Sequence, residues 1–117
     1  MNAESIAFLG WLTHRNADLM PVLDEHLDDQ DGELLPHLMM ADVVRWCIAR
    51  ISSHGTKDPH LQKMLRDIED TYGTGSESID KLIGASFLEN LPQQNEVGAD
   101  LRNFVGPKLK AQLQRFD

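Results

Sequence analysis

Apolar residues recur at helical spacing along the whole chain, and no stretch shows the apolar–polar alternation of a β-strand. The most apolar stretch runs from residue 34 to 51, where charge enters only at Asp42, Arg45 and Arg50. A helix that is apolar around most of its circumference must be covered on most sides. We therefore expect a central helix at about 34–53, with Pro36 in its first turn, where a missing N–H group costs nothing.

Amphipathic segments on either side of this helix predict the elements that cover it. They lie at about 3–14, 19–27, 59–72, 77–91, 97–105 and 107–116. Candidate N-caps are Asn2, Asp18, Asp58 and Ser76, and Gly55 is a candidate residue for the end of the central helix. The predicted fold class is all-α: a compact bundle of about six or seven helices in one domain spanning residues 1–117.

The charge of the chain restricts its partners. It carries 19 acidic and 11 basic side chains, for a net charge of −8. Such a surface repels nucleic acid and anionic membrane and attracts a basic protein, although acidity also simply keeps a small protein dissolved. No apolar run approaches the roughly 20 residues that span a bilayer. We expect neither a nucleic-acid partner nor a membrane.

The N-terminal segment and the cysteine content predict a cytoplasmic location. Residues 1–11 contain Glu4 and no basic region, so they do not have the pattern of a secretory signal. Cys47 is the single cysteine, which excludes an internal disulfide and a thiol-based zinc site of the usual kind. Because Cys47 lies inside the apolar helix, we expect it to be buried and unreactive.

The most distinctive feature is an acidic stretch from Asp18 to Glu33, which holds seven carboxylates and no Lys or Arg. Carboxylates this close oppose one another's ionisation, and an arriving cation or basic protein relieves that repulsion. An EF-hand does not fit, because placing Gly32 at loop position six puts leucines at the ligand positions one and twelve. A solvated loop and a docking surface both remain open. The candidate partner-binding residues are Asp24, Glu25, Asp28, Asp29, Asp31 and Glu33.

No motif predicts an enzyme. The five histidines form no recognised metal-ligand spacing, and we expect them at scattered surface or boundary positions. Ser86 lacks the second glycine and the preceding strand of a nucleophile elbow. We predict no catalytic residue, no cofactor and no metal site. A deep cleft shared by His37, Asp42, Arg45 and Glu89 would revive the enzyme hypothesis.

Three stretches carry a resemblance to known proteins: GELLPHLMMADVVRW (32–46), LQKMLRDIEDTYGTGSESIDKLIGASFLENLP (61–92) and VGPKLKAQL (105–113). Together they resemble a widespread family of small bacterial all-helical proteins of unknown function, and residues 86–91 are the most specific part. Proteins of this type resemble immunity proteins of bacterial polymorphic toxin systems. The resemblance implies a biological context and no catalytic residue set.

Composition and pattern alone indicate no function. Added to the acidic surface and the lack of an enzyme motif, the resemblance implies an acidic cytoplasmic binding protein that neutralises a cognate toxin domain by occluding its functional surface. The carboxylates from Asp24 to Glu33 would pair with Lys and Arg around the cleft of a basic toxin. The alternative is a non-catalytic regulatory or structural module that acts as a homodimer through apolar positions of its first or last helix.

Overall fold

The long apolar helix lies at the centre of the computed structural model, which describes residues 3–116, with the backbone alone at 116. In those residues the chain forms seven α-helices and no strand. They are α1 (Ala3–Arg15), α2 (Met20–Asp29), α3 (Pro36–His54), α4 (Pro59–Thr71), α5 (Glu77–Leu82), α6 (Leu101–Phe104) and α7 (Pro107–Phe116). The radius of gyration is 13.4 Å, close to the value of about 13 Å for a compact chain of this length. The all-α fold is confirmed.

Helix α3 follows the predicted bounds closely. Pro36 is its first residue and His54 its last, and Gly55 follows with a φ of 79° that suits glycine. One side of the helix is buried and supplies Met39, Met40, Val43, Val44, Cys47 and Ile51 to the core. The expectation of cover on most sides fails at Leu38, which is 49% exposed. At 100° per residue, Leu38 lies opposite the buried stripe, on the same outer face as Asp42 and Arg45.

The predicted caps are confirmed at α4 and α5 and wrong at α2. Asp58 accepts a hydrogen bond from the N–H of His60 at 3.3 Å, and the Ser76 hydroxyl accepts one from the N–H of Ile79 at 3.2 Å. Asp18 lies instead within a 3-10 turn (Ala17–Leu19) and pairs with His60. Helix α2 begins at Met20 with Leu19 as its N-cap residue, so Asp18 lies one residue too early to cap it. Asn2 lies outside the described residues.

The segment predicted as one helix over 77–91 changes its winding. Helix α5 ends at Leu82, and a π-helical segment, Ile83–Leu88, follows directly. The N–H of Glu89 bonds to the carbonyl of Gly84, five residues back, at 3.2 Å. Such turns are rare, and the apolar pattern did not distinguish this one from an α-helix.

Asp67 on α4 is buried although it carries a charge. Its carboxylate accepts hydrogen bonds from Arg15 at 3.3 Å, Asn16 at 3.0 Å and Lys63 at 3.3 Å. Burial works to raise the pKa of Asp67, but these hydrogen bonds outweigh it and hold the pKa below its ordinary value. The network fixes the end of α1 against α4.

Glu69 on α4 caps the start of α7 from a distance of nearly forty residues in sequence. Its two carboxylate oxygens accept the N–H groups of Lys108 at 3.1 Å and Leu109 at 3.0 Å. These donors are among the four that a helix start leaves unpaired. Gly106 makes room for the cap, because a Cβ there would lie 2.4 Å from the Cγ of Glu69. A charged cap thus joins α7 to the core helices.

Candidate functional site

The six predicted partner-binding carboxylates lie on one exposed region, which we call the acidic face. Its members are Asp24, Glu25, Asp28, Asp29, Asp31 and Glu33. The first four lie on α2, and the last two follow it in the turn that leads to α3. The four acids on α2 form two pairs, 24 with 28 and 25 with 29. The members of each pair are four residues apart, so they are neighbours on the helix surface and bring two negative charges together.

These carboxylates have no role in holding the described structure together. Within residues 3–116, none of the six accepts a hydrogen bond or forms an ion pair. Other acids of the chain are used internally: Asp58 pairs with Arg50, Asp67 with Arg15, and Glu69 caps α7. The charges of the acidic face are therefore available to something outside the fold.

The placement of the acidic face opposes local stability. Asp28 and Asp29 lie in the last turn of α2, where the helix dipole disfavours negative charge by about 0.3–1 kcal/mol each. Their i, i+4 neighbours on the same helix are also acidic, which adds repulsion of a few tenths of a kcal/mol. Asp31 differs from them, because its φ of 55° is a conformation that Asp adopts more readily than most L-residues. Helix formation alone does not account for acids at these positions.

Metal binding by the acidic face has no geometric support in the described part of the chain. There, no three side chains of the His, Cys, Asp or Glu type converge closely enough to hold an ion.

A groove runs between the inner edge of the acidic face and α3, and we call it the α2–α3 groove. Its cavity measures about 330 Å³. Helix α2 lines it with Val22, Glu25 and Asp29, and helix α3 lines it with Asp42 and Trp46. Helical spacing explains why these side chains line one groove. These lining residues of each helix are three, four or seven positions apart, so they lie on one face of that helix. Arg45 also lines the groove and bonds to Asp42.

The floor of the groove is His26. The histidines were expected at surface or boundary positions, and His26 is more deeply buried than that, at 2% exposed. Its Nε2 accepts the N–H of Leu35 at 3.1 Å, so the ring proton resides on Nδ1, which donates to Oδ2 of Asp42 at 3.0 Å. The imidazole is therefore neutral in this arrangement, and it fixes the Asp42 carboxylate at the edge of the groove.

In the described part of the chain, His37 does not line the same cavity as Asp42 and Arg45. Asp42 and Arg45 line the α2–α3 groove, whereas His37 borders a separate depression with Glu77 and Lys81. The ring of His37 instead contacts the hydroxyl of Ser86 on the π-helical segment. This contact joins two of the sequence stretches that carry the family resemblance, 32–46 and 61–92.

Cys47 is fully buried in α3, as expected from its apolar neighbours. Burial raises the pKa of its thiol far above the ordinary value, which disfavours the nucleophilic thiolate. Its environment is that of a core residue.

No helix of the described residues has both the length and the apolarity needed to cross a membrane. Searches among curated proteins and among solved structures gave no significant match. Residues 10–116 match a family described as a domain of unknown function, DUF7674. Since this match covers nearly the whole chain, the chain belongs to the DUF7674 family.

Proposed function

We propose that the chain is a binding protein that neutralises a basic protein partner by covering its functional surface. The observation that carries this proposal is the acidic face: six exposed carboxylates without partners among the described residues, two of them in the last turn of α2, where the helix dipole disfavours negative charge. The resemblance to immunity proteins suggests the partner, a cognate bacterial toxin domain in the cytoplasm.

The proposed mechanism is electrostatic capture followed by occlusion. Unpaired carboxylates attract a basic surface over distances up to the Debye length, about 8 Å at physiological salt, and so raise the association rate. A stable interface takes about 800 Å² from each partner. The molecule, with principal extents of 34 × 32 × 23 Å, is large enough to supply that area. The inhibitor would act by blocking access, without chemistry of its own.

Co-purification from the native cell tests this proposal, with the product of the neighbouring gene as the first candidate partner. The variant D28S/D29S/D31S removes three charges from the acidic face and should lose most of the captured partner. The matched control D70S/E89S/D100S removes three exposed, unpaired carboxylates elsewhere and should retain it. Equal capture by both variants would exclude the acidic face as the docking surface. Capture of an acidic partner alone would refute the proposed mechanism.

A second candidate function, a homodimeric regulatory module, is favoured by one feature of α1. Trp11 is 41% exposed, with its ring 6.0 Å from Phe8 and beneath the guanidinium of Arg15. A large aromatic residue at the surface is typical of an interface. Sedimentation at several concentrations tests this candidate, since a strict monomer at all of them would exclude it.

A further inference from the structure

We infer that the α2–α3 groove is a binding site for the guanidinium group of an arginine side chain presented by a protein partner. The inference rests on the proposed function for the source of that arginine. Its physical basis is separate and comes from the shape, charge and aromatic wall of the groove.

The charge of the groove favours a cation. Its described lining residues bring three carboxylates, Glu25, Asp29 and Asp42, against the one guanidinium of Arg45. Glu25 and Asp29 have no partner among the described residues. The buried His26 adds no positive charge, because its Nε2 is occupied by a backbone N–H. A cation that enters between the two helices therefore meets unneutralised carboxylates on α2 and a fixed one on α3.

Arg45 shows that this site accepts a guanidinium. It donates to Oδ1 of Asp42, while His26 holds Oδ2 of the same carboxylate. The Arg45 side chain is nevertheless 68% exposed, and exposed ion pairs of this kind contribute little to stability. An incoming arginine can displace Arg45 at small cost, or bind beside it on Glu25 and Asp29.

Trp46 makes the groove more selective for arginine than for lysine. Its half-buried indole lines the cavity, and the guanidinium of Arg50 already lies 5.9 Å from its ring centroid. A planar guanidinium can stack on an aromatic ring and donate two parallel hydrogen bonds to a carboxylate, which an ammonium cannot do. The cavity of about 330 Å³ is at the small end of the range for ligand pockets, roughly 300–1,000 Å³, and suits one side chain.

Direct titration with a small probe tests this site without the natural partner. The probe is N-acetyl-arginine amide, followed by the indole N–H signals of the two tryptophans in a ¹H–¹⁵N spectrum. We expect saturable shifts at Trp46, which lines the groove, and none at Trp11 on α1. A single side chain should bind with a dissociation constant in the millimolar range. N-acetyl-citrulline amide has the same shape without the charge and should not bind.

Two pairs of matched variants locate the probe. E25Q/D29N and D24N/D28N remove the same charge from α2, but only the first pair lines the groove. The first variant should weaken binding about tenfold and the second less than about twofold. R45A should tighten binding by freeing Asp42, whereas R66A, which removes an exposed arginine elsewhere, should not. The thermal midpoint of each variant verifies that it is folded.

The outcomes separate this inference from the proposed function. Equal weakening by the two α2 variants, or no shift at Trp46, would overturn the arginine site even if a basic partner is captured through the acidic face. Selective loss in E25Q/D29N would support the site even if the captured partner is not a toxin. Equal binding of the arginine and citrulline probes would also overturn it, because the carboxylates would then have no role.

Discussion

The cap that Glu69 places on α7 gives the most quantitative prediction of this structure. Both carboxylate oxygens are used, one on the N–H of Lys108 and one on the N–H of Leu109, and the side chain is buried. Alanine at position 69 removes both acceptors, and glutamine keeps one carbonyl oxygen. Gly106 is coupled to the same cap, because its missing Cβ leaves the space that the Glu69 side chain occupies.

The expected loss of stability follows from the two hydrogen bonds that Glu69 accepts. A bond from a backbone N–H to a charged acceptor contributes about 1.5 kcal/mol net, so E69A should cost about 3 kcal/mol and E69Q about half of that. Unfolding entropy near 2.1 cal/mol/K per residue makes each kcal/mol about 4 °C in Tm for a chain of this length. E69Q should therefore lower Tm by about 6 °C and E69A by about 12 °C. D70N, an exposed neighbour on α4, should change it by less than about 2 °C.

A double-mutant cycle measured by urea unfolding tests the reasoning. G106A alone should cost about as much as E69A, because its Cβ expels the Glu69 carboxylate from the cap. In the E69A background the same substitution should cost nothing, since the clash is gone and alanine adopts a backbone that is not left-handed. Additive effects, with the double variant losing about 6 kcal/mol, would refute the proposed coupling.

Three further predictions concern pH, the buried thiol and the acidic face. Since the pKa of Asp67 is lowered in the folded state, the stabilisation by its carboxylate is complete at neutral pH and is lost as pH falls through the folded pKa. The difference in urea midpoint between wild type and D67N should therefore close below about pH 4. A difference that stays constant with pH would contradict this. Cys47 should react with Ellman's reagent only at the rate of unfolding; rapid labelling of the native protein would show that the thiol is accessible. D28N/D29N should raise the free energy of unfolding by about 0.5–1 kcal/mol by removing acids from the end of α2; a loss of stability would show that these carboxylates support the fold.

The sequence predicted the features that depend on nearby residues. Pro36 and Gly55 mark the ends of α3, and Asp58 and Ser76 cap the helices that follow them directly. Proline and glycine restrict or free the backbone locally, and a cap reaches only two or three residues. The exposed position of the acidic face also followed from its polarity and its lack of basic neighbours.

The features that sequence reasoning missed depend on partners far apart in the chain. Asp67 pairs with Arg15 and Asn16, which lie 52 and 51 residues away, and Glu69 caps two residues that lie 39 and 40 residues away. His26 becomes a buried, doubly bonded group only because the chain returns Leu35 and Asp42 to it. No spacing rule encodes these encounters, since they arise from how the helices pack. The α2–α3 groove was missed for the same reason.

The central claim, that the acidic face binds a basic partner, is tested most directly by the salt dependence of the affinity for the captured partner. Kd is measured across a series of salt concentrations for the wild type, D28S/D29S/D31S and the control D70S/E89S/D100S. The account predicts a steep weakening with salt for the wild type and the control, and a clearly shallower one, with weaker binding at low salt, for D28S/D29S/D31S. Identical affinities and slopes for all three proteins would contradict it.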